Sequence, residues 1–319
     1  MIARALVLAC MWTLAAGAAL AQSYPTKPVT LIVPFAPGGP TDLVGRAAAE
    51  GLTKELGRPV VVENKPGATG VVGLEALERS APDGHTLLLF ASTTAISHVA
   101  QKRTFDLTKQ VTPLGNLITS SMLVLVNPKM IDVKNLDELA AYLRANAGTP
   151  YTSSGIGSPA HIYAEAWAKK LGVQMTHVSY RGIAPALVDV LGSRVGIIFS
   201  TATSIKSHVE AGSLRAIAVL GDERLSFIPD VRTSVEQGYG DLKILIYTGL
   251  AVTAGTPDPV VATLRRAQEK VVQGELYRKT FDGTDGKPEF IDGPEWGGRI
   301  QKAYDDAARI TKDVGLVID

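Results

Sequence analysis

Val29-Thr30-Leu31-Ile32-Val33 runs directly into Pro34-Phe35-Ala36-Pro37-Gly38-Gly39-Pro40-Thr41-Asp42-Leu43-Val44-Gly45-Arg46. An apolar run rich in strand formers, a glycine- and proline-rich turn, and a helix start follow one another. Pro40 suits the first helical position, where its missing amide proton costs nothing. Asp42, two residues on, favours the positive end of a helix. The amides of Gly38, Gly39 and Thr41 are then expected to turn outward, and a strand–turn–helix corner of this kind is a seat for an anion. It is neither a phosphate loop nor a dinucleotide fingerprint, because G-x-x-x-x-G-K-[ST] and G-x-G-x-x-G do not occur here. A second reading of the same corner stays open, in which Asp42 itself takes the amides.

Working outward, the strand–helix alternation continues. Strands are expected at 29–33, 60–62 and 86–90, with helices at 41–56 and 73–80. A second unit begins near Leu123, with strands at 123–126, 151–152, 175–178, 195–199 and 214–220 and helices at 136–144, 160–171 and 185–191. A strand at 247–252, a helix from about 260 and a helix at 293–312 complete the chain. This order implies α/β units with mainly parallel sheets flanked by helices. No repeat, low-complexity tract or polar linker divides them, so two lobes joined by crossing strands are expected. Ligands of such sheets sit beyond the carboxyl ends of strands.

Residues 1–21, MIARALVLACMWTLAAGAALA, carry one early cation, Arg4, then an apolar core, then Ala19-Leu20-Ala21 ahead of Gln22. That is the pattern of a secretory signal cleaved after Ala21. The apolar stretch falls short of the roughly 20 residues a spanning helix needs, and Val7-Leu8-Ala9-Cys10 leaves too little apolar chain for a lipoprotein. Cys10 is the single cysteine. The mature chain is therefore expected to hold no disulfide, thiolate metal site or cysteine nucleophile. Removing Arg4 leaves 31 basic against 31 acidic residues, so nucleic acid and anionic membranes, which call for a basic excess, are poor partners.

Three more strand exits resemble the first: Pro66-Gly67-Ala68-Thr69-Gly70, Ala91-Ser92-Thr93-Thr94 and Ser153-Ser154-Gly155-Ile156-Gly157-Ser158. All four offer small side chains, hydroxyls and backbone amides, and none supplies a cation. A hydrolase using Ser154 or Ser158 with His161 is an alternative, although S-S-G-I-G is not the G-x-S-x-G elbow and a triad would have to assemble in space. The five histidines, His85, His98, His161, His177 and His208, lack zinc spacing. His161 either bonds a ligand or caps its own loop, and Glu165 and Asp189 are expected as solvated helix positions.

Taken in order, PFAPGGPTDLVGR, VVENKPGATGVVG, APDGHTLLL, YTSSGIGSPAH, THVSYRGIAPALVDVLG and TAGTP resemble the tripartite tricarboxylate transporter substrate-binding proteins, or Bug family, over essentially the whole mature chain. The resemblance implies a periplasmic, monomeric, two-lobed binding protein of the Venus-flytrap kind, neither an enzyme nor a cofactor carrier. Lobe 1 would comprise 22–123 and 248–319, and lobe 2 would comprise 124–247. It implies a small carboxylate held in the interlobe cleft by amides, hydroxyls and waters, and delivered to a membrane permease; a ligand sensor for a signalling receptor is the alternative within the same fold. Contacts carried over are Phe35, Gly38, Gly39, Thr41, Ala68, Thr69, Ser92 and Thr93 on the first lobe. On the second they are Ser154, Gly155, Ile156, Gly157, Ser158, His161, Tyr180 and Ser200, with Arg181 and Gly182 nearby. Three positions depart from the family pattern: Ser200 stands where an acid is frequent, Ser179 where proline is usual, and Ile246-Tyr247 where a tryptophan commonly precedes the last crossing strand. The loss of the acid at Ser200 predicts a ligand without an ammonium group.

Overall fold

The computed structural model describes residues 24–180, 182–202 and 205–316. The expected signal segment, with Cys10 and the cleavage site, lies outside them, as does Arg181. In chain order the strands are β1 (Val29–Val33), β2 (Val60–Asn64), β3 (Thr86–Ala91), β4 (Val111–Val126), β5 (Thr149–Thr152), β6 (Met175–Val178), β7 (Ile197–Thr201), β8 (Arg215–Leu220), β9 (Leu245–Thr253) and β10 (Gly286–Pro288). The helices are α1 (Pro40–Leu56), α2 (Val71–Glu78), α3 (Ser92–Ala100), α4 (Leu107–Gln110), α5 (Leu136–Ala145), α6 (Pro159–Leu171), α7 (Ile183–Leu191), α8 (Lys206–Glu210), α9 (Asp258–Gln273), α10 (Glu275–Thr280) and α11 (Gly293–Val314).

The strands form one curled, mixed sheet in the order β2-β1-β3-β9-β4-β7-β5-β6, with β8 and β10 also paired to β4. At both ends the pairings are parallel, β1 with β2 and β3, and β5 with β6 and β7. In the middle they are antiparallel, because β4 and β9 pass through. The 16-residue β4 pairs with β9 over Val111–Ser121 and with β7 and β8 over Met122–Val126. Its first ten residues read poorly as a strand because Pro113 and Gly115 sit in it, and register shifts fall at Pro113/Gly115 and Asn116/Ile118.

Strand alternation sets the core on both faces. Val29, Leu31 and Val33 of β1 pack with Leu87 and Leu89 against α1 and α9, while Ile32 joins Leu88, Phe90 and Trp296 on the opposite face. The far part of the sheet has its own clusters, around Val124, Phe199 and Trp167 on one face and Leu125, Ile198 and Ala186 on the other. α11 packs on both parts, where Ala307 meets Ile96 of α3 and Ile162 of α6.

Candidate functional site

A cavity of about 870 Å³ opens over the strands that pass through the middle of the sheet. Among the described residues, five helices begin at it. Pro40 and Thr41 open α1, the turn Gly67–Gly70 leads into α2, and Ala91 and Thr93 start α3; Ser158 and Pro159 open α6, and Gly182 and Ile183 open α7. A helix start carries about half a positive charge; at α1 the Asp42 carboxylate in the first turn offsets it, and at α6 Ser158 takes one of the amides. The described lining contains Asp285 and no lysine, arginine or histidine.

The first corner is built around Asp42. Its carboxylate is only 3% exposed and accepts from the Gly38 amide (2.9 Å), Arg46 Nε (2.8 Å) and Asn64 Nδ2 (2.8 Å). Burial alone would raise its pKa, but the bonds from Arg46, Gly38 and Asn64 outweigh this and hold it below the usual carboxylate range. Asn64, the last residue of β2, also donates to the Phe35 carbonyl (3.0 Å). The corner is thereby locked with Phe35 and Thr41 on the cavity wall. This corrects one expectation: the Gly38 amide is taken internally by Asp42, and Gly38 and Gly39 lie off the wall. The internal-capping reading holds for Gly38, while Thr41 still lines the cavity.

In the second corner Gly67, Ala68, Thr69 and Gly70 have φ of 147°, 45°, 53° and 97°. Two consecutive non-glycine residues in the left-handed region cost roughly 1–2 kcal/mol each, and such strain gathers at ligand clamps. Ala68 and Thr69 both line the cavity. The third exit is no loop, since α3 starts directly at Ser92. Thr93 reaches the cavity, but Ser92 is fully buried and its Oγ accepts the Tyr247 amide (3.2 Å), which removes it from the wall.

Across the cavity, Ser154, Gly155, Ile156 and Ser158 line the wall. Gly157 and His161 stand behind them and hold the loop in shape. The Gly157 amide donates to His161 Nδ1 (3.1 Å), and Ser158 caps α6 by accepting the His161 amide. Ser153 Oγ joins Ser158 Oγ (3.1 Å), the Gly155 amide (3.2 Å) and His177 Nε2 (2.9 Å). The rings of His161 and His177 stack with centroids 4.0 Å apart. Burial pushes the pKa of each down to about 4, and the facing imidazole adds to this for His177. With Nδ1 held by the Gly157 amide, His161 caps its own loop.

Tyr180 lines the wall with its hydroxyl on Asp189, which also receives Arg194 Nη1 (2.6 Å). Tyr151 donates to Glu165 (2.6 Å). Asp189 and Glu165, expected as solvated positions, therefore brace tyrosines. Ser200 is on the wall, and so are the two other departing positions, Ser179 and Ile246.

Sequence reasoning missed the floor. Ile118, Ser120 and Met122 alternate along β4 and face Thr248 and Ile246 of β9, with Ile118 opposite Thr248 and Ser120 opposite Ile246. Phe281 and Asp285, from the segment between α10 and β10, close one side. Asp285, 4% exposed, overturns the premise drawn from Ser200: an acid does reach this cavity, supplied by a distant segment. The period-2 pattern of 118, 120 and 122 was readable; that it faces a cavity was not.

Residues 44–316 match the profile of the Tripartite tricarboxylate transporter family receptor. A UPF0065 protein of Bordetella pertussis is 32% identical over 306 residues, 95% of this chain and 94% of the relative. A solved structure described as a periplasmic transporter has a TM-score of 0.84 at 33% identity, covering 93% of this chain and 100% of that one. MatC from Rhodopseudomonas palustris, solved with bound malate, has a TM-score of 0.78 at 28% identity, covering 90% of this chain and 99% of its own.

Proposed function

Because this chain belongs to the tripartite tricarboxylate transporter family of receptors, we propose that it captures a small carboxylate in the central cavity. The carrying observation is the convergence of five helix starts on one wall with no lysine, arginine or histidine among the described lining residues. Such a site attracts negative charge through backbone dipoles. Thr41, Thr69, Thr93, Ser154, Ser179 and Ser200 add hydroxyls around it. The malate held by MatC supports the same ligand chemistry.

A hydrogen bond to a charged group contributes about 1.5–3 kcal/mol, so four or five give roughly 6–15 kcal/mol before the cost of ordering. Micromolar binding needs about 8 kcal/mol, which neutral donors therefore reach. The proposed lobes are 22–123 with 248–319, and 124–247. A ligand touching both favours their closed arrangement, and a membrane permease reads that state in the periplasm.

The test is a thermal-shift series on the mature protein with carboxylic acids and the matching amides. Free acid at 100 times its dissociation constant adds about 2.7 kcal/mol of stability, and the amides are expected to add nothing. Equal shifts from acids and amides would remove the carboxylate reading.

A further inference from the structure

Among the described lining residues Asp285 carries the single charge. It stands on the segment between α10 and β10, and that segment is braced on both sides of it. Thr284 Oγ1 donates to the Phe281 carbonyl (2.8 Å) and accepts the Gly286 amide (3.1 Å). Gly286 then pairs with Ser120 of β4, so closely that an added Cβ would lie 2.4 Å from Ile118. Asp285 is therefore held in place, 4% exposed, beside a strand that contributes Ser120 to the same cavity.

This acid belongs to none of the five helix starts. The starts of α2, α3 and α7 have no side-chain cap and suit the carboxylate of a ligand. Beside Asp285 the preference is reversed. Two carboxylates that meet repel one another, and burial strengthens the repulsion because little water screens it. An ionised carboxylate accepts and does not donate, and its four or so lone-pair sites take several donors at once. Partners within the protein thus leave it able to accept from a ligand. A ligand entering the cavity also strips solvent from the part of Asp285 that faces it. An acid with a donor there replaces the lost hydrogen bond; an acid without one does not.

Resting on the carboxylate reading above, we propose that Asp285 is a specificity-determining residue, selecting acids that also carry a hydrogen-bond donor for it, a hydroxyl or an ammonium group. The ligand is then oriented by two opposite chemistries, its carboxylate at uncapped helix starts and its donor at Asp285. A site built to accept from a substrate group discriminates against the analogue lacking that group far more strongly than an apolar pocket discriminates by size.

Calorimetric titration of the mature protein with two matched sets tests this. One set is succinate, malate and aspartate; the other is benzoate with its 3-hydroxy and 4-hydroxy derivatives. Succinamide and malamide are the uncharged controls. In at least one set a donor-bearing member is expected to bind ten or more times tighter than the donor-free parent, with no binding of the amides. Aspartate above malate identifies the donor as an ammonium group, and malate above aspartate as a hydroxyl. Asp285→Asn, which keeps the size and removes the charge, should shrink the ratio between donor-bearing and donor-free acids at least threefold. A merely structural role of Asp285 would weaken all acids by one factor and leave the ratio unchanged, which would overturn the proposal. Donor-free parents binding as tightly as their derivatives in both sets would overturn it from the unaltered protein alone, whether or not Asp285→Asn folds. Either result leaves the carboxylate reading standing. Amides binding as well as acids, or no acid binding at all, would overturn the carboxylate reading and this inference with it.

Discussion

Asp42 shows how one buried charge can organise a binding corner without touching the cavity. It gathers three donors from the turn, from its own helix and from β2. Asp42→Ala leaves the Gly38 amide and Asn64 without their acceptor, and the expected cost is about 1–3 kcal/mol, read as a lower urea midpoint at unchanged slope. Asp42→Asn keeps one carbonyl acceptor and should cost less. The stacked His161 and His177 give a pH prediction. Their folded pKa values, about 4, lie below the ordinary 6.5, so the unfolded chain binds protons first as pH falls. Stability is expected to be flat above about 6.5 and to drop between 6.5 and 4. Replacing both by glutamine should flatten that drop in urea titrations, with a remainder from His98, whose pKa burial also lowers. At this level the sequence exposed which residue types cluster at strand exits. It left open whether Asp42 or a ligand takes the Gly38 amide and whether His161 caps or binds, because both depend on a few degrees of backbone direction.

Elements with strong periodicity were legible to within a few residues. β1, β6 and α11 start where the apolar patterns start, and Pro40, Ser158 and Gly293 mark helix entries. β4 was only half visible, because Pro113 and Gly115 break the pattern of a strand whose irregularities are met by tertiary contacts. Gln268 of α9 donates to the carbonyls of Gly115 and Asn116 (2.7 and 3.0 Å). Opposite this bend, Gly249 of β9 has no room for a side chain: an added Cβ would lie 2.0 Å from the Gly115 oxygen and 2.8 Å from Trp296. Gly249→Ala is therefore expected to cost about 3 kcal/mol, the upper end of overpacking penalties. Gly298, exposed inside α11 with open space around it, provides the opposite case. Gly298→Ala should raise stability by about 0.5–1 kcal/mol. Both are read in chemical denaturation.

Across the molecule, β4 and β9 pass through the middle of the sheet, and α11 packs on α3 and α6 with Ala307 between them. The proposed closure predicts that a saturating acid ligand lowers the radius of gyration in solution scattering toward about 19 Å, the value for a compact chain of some 298 residues; an unchanged radius would argue against closure. The sequence alone determined the α/β alternation, the strand exits rich in glycine and hydroxyls, the neutral charge balance and the family resemblance. These are legible because strand and helix periods and turn chemistry are local. Only the tertiary structure decided that Ser179, Ser200 and Ile246 share one cavity, that Asp285 and Phe281 reach it from some eighty residues beyond Ser200, and that alternate residues of β4 and β9 form its floor. Those facts depend on which strands pair and in what register. Register is set by long-range packing of whole faces, which no short stretch of sequence contains.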